Sequence, residues 1–241
     1  MQFIQGNEII RCTNPTLECS IAGKNISDTD LSGRPHLVYS DMNIVFEFVF
    51  QQKDRFGKEI MEECKIAIRN EGFGSRALDP LEGFGYAIRM TEEKKPPHLV
   101  SMTQAISNEK KNLKHISYKE DRNHIAFLSN QEFSNGAISL FYEGTKELLS
   151  RHFPDGCYIL PSSVHEVMLL SKPHYLYRLN EVKNLPQDIN GGRNITQGEV
   201  LSDRVLEYHA RERIISYAGE MTEIKMKRPK KWEKVQWADP R

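Results

Sequence analysis

The sequence has no excess of either charge: 33 lysines and arginines balance 33 aspartates and glutamates over 241 residues. A dedicated nucleic-acid binder usually carries a net basic domain. The balance argues against DNA or RNA as the main partner, while leaving room for a local basic patch. Long apolar runs are also missing. The longest, around residues 44–50 and 164–170, fall far short of the ~20 residues that span a bilayer. The start, Met1-Gln2-Phe3-Ile4-Gln5-Gly6-Asn7-Glu8, has neither the basic nor the apolar region of a secretory signal. The expectation is a soluble, cytoplasmic chain with no membrane association. Cysteine is sparse: Cys12, Cys19, Cys64 and Cys157 form no CxxC pair. Structural zinc normally takes two sets of close ligands, and a cytosolic chain keeps a Cys12–Cys19 pair reduced. The four read as plain buried or half-buried thiols.

Recognisable cofactor fingerprints are lacking as well. Two Gly-Phe-Gly triplets, residues 72–74 and 83–85, do not form a GxGxxG between a strand and a helix, and read as turns anchored by a phenylalanine. No HExxH occurs, and His165 and His174 are too loosely spaced across Pro173 to count as a ligand pair. No metal and no cofactor is expected. No period of 20–50 residues repeats, which excludes solenoid architectures.

What is present is strand-rich. Residues 2–4, 8–11 and 18–22 read as short strands, and residues 43–50 give the strongest strand signal of the N-terminal half, rich in β-branched and aromatic side chains. The spacing of Ile60, Met61, Cys64, Ile66, Ala67 and Ile68 predicts a helix over 58–69. Residues 86–90 read as a strand and 91–97 as an exposed charged turn. Further on, 124–128 predicts a strand, and 136–153 a helical stretch with Leu148, Leu149 and Phe153 on one face, stopped by Pro154-Asp155-Gly156. Residues 157–160 and 164–170 read as an antiparallel pair, 175–184 as a helix, 196–208 as a short helix and then a strand, and 213–217 as a strand. The order implies an α+β fold, an antiparallel sheet with helices packed on it and a strand-rich N-terminal part. Three parts are expected: residues 1–120, an α+β domain over 121–220, and a basic tail over 221–241.

The densest polar chemistry lies in Leu160-Pro161-Ser162-Ser163-Val164-His165-Glu166-Val167. A serine nucleophile needs a base in reach and a third group that orients the base. Within a strand, Ser163 and His165 share a face while Glu166 points to the other. Asp203, in Leu201-Ser202-Asp203-Arg204, would then have to orient the ring, giving Ser163–His165–Asp203, or Cys157 would serve as nucleophile with His165. No Gly-x-Ser-x-Gly elbow exposes the serine. The plainer reading has Ser162 and Ser163 bonding the turn backbone, His165 as a satisfied histidine, and Ser202 and Asp203 capping a helix or tying a turn.

The tail interleaves Lys225, Lys227, Arg228, Lys230, Lys231 and Lys234 with Trp232 and Trp237. Cations among aromatics suit a phosphate backbone with stacked bases, or an acidic protein surface. The alternative is a tail that its tryptophans clip onto the body. Lys227, Arg228, Lys230, Lys231, Trp232 and Trp237 are the candidate binding residues.

Leu128-Ser129-Asn130, Gly136-Ala137, the run from Leu160 to Val167 and Leu201-Ser202-Asp203 together resemble a family of bacterial domains, mostly from Gram-positive anaerobes and their mobile elements, over roughly residues 124–217. The resemblance implies no activity, and its mobile-element setting implies a host-directed regulator or inhibitor. The leading expectation is a non-enzymatic interaction protein that binds a macromolecular partner, a protein first of all. The alternatives are a hydrolase using Ser163 or Cys157 with His165, and a nucleic-acid binder acting through the tail.

Overall fold

A computed structural model of the chain describes residues 2–5, 8–11, 16–23, 31, 36–53, 59–62, 80–108, 113, 115–174, 179–191 and 198–227. Strands β1 (Gln2–Gln5) and β2 (Glu8–Arg11) pair antiparallel. Strands β3 (Thr16–Ala22), β4 (His36–Tyr39), β5 (Met42–Lys53) and β6 (Glu59–Glu62) build a second antiparallel sheet. Its order is β3-β5-β4, with β6 also on β5. The β-branched and aromatic run 44–50 supplies the long central strand, as its composition predicts.

Helix α1 (Pro80–Lys94) leads into β7 (Pro97–Ser101) and the short α2 (Met102–Ser107). After these come β8 (Ile125–Asn130), a 3₁₀ turn (Gly136–Phe141), α3 (Glu143–His152), β9 (Cys157–Leu160), β10 (Val167–Ser171), α4 (Leu179–Asn190), β11 (Leu206–His209) and β12 (Ile214–Tyr217). The six strands β7 to β12 form one antiparallel sheet in the order β12-β11-β9-β10-β8-β7. The fold is α+β.

Alternation along β9 and β10 gives this sheet two buried faces. Ile159 and Leu169 join Cys19, Ile21, Leu37, Ile44, Ala87, Ile138 and Leu149, so that β3–β5, α1, the 3₁₀ turn and α3 share one core with the sheet. Tyr158, Leu160 and Leu170 face the opposite way, onto Val182 of α4 and Val205. Each such fully buried aliphatic contributes about 1.5–3 kcal/mol, which ties the N-terminal strands to the later sheet. Glu92 of α1 also accepts the Glu143 and Gly144 N–H groups at 3.0 and 2.8 Å. It satisfies two donors that the first turn of α3 leaves open.

Several sequence expectations change. Glu59–Glu62, within the helix expected over 58–69, is a strand in register with Phe50–Lys53; the rest of that span lies outside the described residues, as do residues 72–74. Gly83-Phe84-Gly85 is no turn and 86–90 no strand, because both lie within α1, which also takes in most of the turn expected over 91–97. Ala87, Ile88 and Thr91 are buried there and Phe84 half-buried. The 84, 87, 88, 91 spacing makes one helical face. Its packing outweighs a helix cost of about 1 kcal/mol per glycine. Among the described residues of 196–205 there is no helix, and the strand is confined to Leu206–His209. Strand β10 begins at Val167, leaving His165 and Glu166 in the bend before it, so the alternation argument for their faces does not apply.

Candidate functional site

Three connections meet at one end of the six-stranded sheet: residues 131–135 after β8, 161–166 between β9 and β10, and 198–205 leading into β11. They are stitched by backbone. Val164 N–H donates to Glu199 O at 2.9 Å, Ala137 N–H to Val164 O at 3.1 Å, and Ser202 N–H to Pro161 O at 3.1 Å. Ser163 and Val200 form an isolated bridge.

His165 is the centre of this knot. The backbone N–H of Asn135 donates to its Nδ1 at 3.1 Å. A hydrogen on Nδ1 would face that donor, so the ring carries its hydrogen on Nε2 and offers it to Glu199 Oε1 at 3.2 Å. Ser163 Oγ accepts the backbone N–H of His165 itself at 2.9 Å, a local turn bond. Ser129 Oγ donates to the His165 carbonyl at 2.7 Å. Asn130 holds the other side, donating to Ser134 O at 2.9 Å and accepting Glu132 N–H at 3.0 Å.

The same contacts explain a glycine and two strained residues. A Cβ at Gly136 would lie 2.6 Å from the His165 carbonyl oxygen and 2.7 Å from Asn130 N, besides meeting Ser129 Oγ. The loop before it holds Phe133 and Asn135 at φ of 51° and 47°, a left-handed conformation costing about 1–2 kcal/mol per residue. Asn135 in that conformation aims its N–H at the ring.

The candidate catalytic residues do not converge. Ser163 is 3% exposed, and its oxygen is held by the turn. Asp203 accepts from Asn190 Nδ2 of α4 at 2.8 Å, and the carboxylate that reaches the His165 ring is Glu199. Cys157 is fully buried, paired with Ser171 and Tyr208. Ser171 stands four residues along β10 from Val167, or about 13 Å at roughly 3.3 Å per residue. Burial pushes the Cys157 thiol well up, and the Glu207 carboxylate adds to this while Lys172 opposes it, so the nucleophilic thiolate is disfavoured. Ser202 ties a turn: its Oγ donates to Asp41 Oδ1 at 2.7 Å and accepts Arg204 N–H at 2.9 Å. That bond joins the β4–β5 hairpin to the Leu201-Ser202-Asp203 segment. Among the tail candidates, Lys227 pairs its backbone with Val38 at the edge of β4, both bonds 2.8 Å. Arg228, Lys230, Lys231, Trp232 and Trp237 lie outside the described residues.

Among the described residues no group of three or more His, Cys, Asp or Glu side chains is arranged to hold a metal ion, and no helix is long and apolar enough to cross a membrane. The sequence model of a family of unknown function, DUF5688, matches residues 15–210. The chain belongs to that family. The DUF5688 match starts far upstream of the 124–217 span over which the motifs carry the resemblance, and takes in β3, β4, β5 and β6, the strands that share the core. No curated protein and no solved structure matches the chain.

Glu199 is the residue that sequence reasoning missed. A weak signal existed, because it stands two residues before Leu201-Ser202-Asp203. Its role depends on the antiparallel approach of that segment to Ser163, which no local pattern specifies.

Chemically, the arrangement suits order more than turnover. A general base must direct a lone pair at the proton it removes. In His165 the Nδ1 lone pair takes the Asn135 N–H, and Nε2 carries a hydrogen toward Glu199.

Proposed function

We propose that this DUF5688 member is a non-enzymatic binding protein that acts by engaging a macromolecular partner, a protein first of all. One observation carries the reading: both ring nitrogens of His165 are engaged within the chain, one of them by a backbone N–H. The motif with the most concentrated polar chemistry is thereby read as a fold lock. The function then belongs to the surface that the lock holds in shape. The mobile-element setting implied by the motif resemblance gives the reading a specific form, an inhibitor directed at a host component.

The test is affinity capture of the full chain from its native cell, followed by reconstitution of any retained complex from purified components. The expected result is a retained macromolecule that binds saturably with fixed stoichiometry. Failure to retain any partner would overturn the reading, and ester or amide hydrolysis that disappears in His165→Asn would then favour the hydrolase.

A further inference from the structure

A groove of about 170 Å³, lined by none of the residues of the His165 knot, lies where separate parts of the chain meet. Tyr39 of β4, Phe84 of α1 and Phe141 of the 3₁₀ turn line it, facing Leu149 of α3 and Ile215 of β12. Tyr39 and Phe141 meet edge to face at 4.9 Å; Tyr39 is buried, and the half-buried Phe84, Phe141 and Ile215 supply the apolar surface that an entering side chain could meet. Its size decides what can enter. An engineered apolar cavity of about 150 Å³ holds a benzene molecule, so this groove takes one ring or one branched aliphatic side chain.

Its charges narrow the choice. Arg213 also lines the groove, but its guanidinium is engaged by Glu147 at 2.6 Å and Ser150 at 3.2 Å. Lys146 and Glu223 line it too, both exposed, and neither side chain makes a hydrogen bond or ion pair among the described residues. The groove thus sets apolar side chains beside one cation and one anion that no side chain of the described residues pairs.

We propose that this groove receives one aromatic or leucine-sized anchor side chain from a peptide segment of the partner, flanked by an acidic residue that meets Lys146 and a basic residue that meets Glu223. The inference rests on the partner-binding reading and names where the partner docks. Pockets of this kind favour junctions between structural units. This one is formed jointly by the N-terminal sheet, α1, α3 and the β12 edge, so it exists only in the assembled fold.

The experiment uses the full chain, isotope-labelled, titrated by NMR with Ac-Asp-Phe-Lys-NH2, Ac-Lys-Phe-Asp-NH2, Ac-Asp-Gly-Lys-NH2 and free phenylalanine. A Phe tripeptide should shift groove resonances saturably and bind at least about tenfold more tightly than its Gly counterpart, as burial of a ring requires. One order of charges should be preferred by about two- to fivefold, the range for exposed ion pairs. The double variant K146E/E223K should reverse that preference. Both positions are exposed, and the variant's native spectrum verifies that it folds. Absence of saturable shifts, equal binding of the Gly peptide, free phenylalanine binding as tightly as the peptides, or an unreversed preference would each overturn the proposal. If these fail while native-cell capture still yields a reconstituted complex, the docking site is wrong and the binding function stands. If capture also retains no partner, both fall.

Discussion

Replacing His165 by alanine should lower stability. The substitution deletes the acceptor for Asn135 N–H and the donor to Glu199. The Glu199 contact joins side chains that are 32% and 37% exposed, where an ion pair or its neutral counterpart contributes about 0–1 kcal/mol. The Asn135 bond carries more weight. A net contribution of about 0.5–1.5 kcal/mol is usual for such a bond, and this one orders a loop with two left-handed non-glycine residues. The expected loss is about 1–2 kcal/mol, or roughly 2–8 °C at about 2–4 °C per kcal/mol for a chain of this size. Urea unfolding read by circular dichroism and fluorescence measures it. Two conservative variants separate the bonds. The Oδ1 of His165→Asn stands where Nδ1 stood and keeps the Asn135 contact. The amide of His165→Gln reaches toward Glu199 and keeps that contact instead. The expected order of stability is wild type, Asn, Gln, Ala. An alanine variant within about 0.3 kcal/mol of wild type, below the effect of even one ordinary hydrogen bond, would refute the lock.

Three other outcomes follow from the same geometry. Gly136→Ala should destabilise by about 1–3 kcal/mol or more, because backbone atoms at 2.6 and 2.7 Å cannot yield to a Cβ; a neutral effect in thermal unfolding would show that the knot is loose. In a double-mutant cycle, Asp41→Ala and Ser202→Ala should couple by at least about 0.5 kcal/mol, since Ser202 is 1% exposed and bonds Asp41 at 2.7 Å; simple additivity would sever this link between the two sheets. His98 should make stability depend on pH. Burial holds it below the usual 6.5, His115 adds to the shift, and the carbonyl of Leu113 at 2.7 Å works the other way. The unfolded chain therefore binds the proton first, so this contribution is fully present above pH 6.5 and is lost as the pH falls from there toward the folded value. His98→Gln, whose amide still reaches Leu113, should flatten that part of the profile; an unchanged profile would remove His98 as its source.

Much of the fold was legible because its signals are local. The β-branched run at 44–50, the Pro154-Asp155-Gly156 stop and the hairpin after Leu160 each mark an element by composition alone. α1 is hard to read because the glycines at 83 and 85 resemble turn punctuation. Only the tertiary burial of Ala87, Ile88 and Thr91 makes that segment a helix. The candidate site was half legible. The sequence marked His165, Ser163 and the Leu201-Ser202-Asp203 segment as a constellation, and the fold does bring them to one end of the sheet. Which carboxylate meets the ring is a matter of register. The bridge between Ser163 and Val200 brings Glu199 to the imidazole while Asp203 turns toward Asn190. A single residue's slip would change that partner, and no local pattern encodes it. The groove was invisible for the same reason, since Tyr39, Phe84, Lys146 and Glu223 meet only in the assembled fold.

The most direct measurement is long-range proton–nitrogen correlation NMR of the His165 ring in the folded chain. A locked His165 ring shows its hydrogen on Nε2, slowed in exchange by Glu199, and Nδ1 with the shift of an unprotonated nitrogen accepting a hydrogen bond. A hydrogen on Nδ1 with a bare Nε2, the tautomer a serine-activating base needs, would contradict the lock.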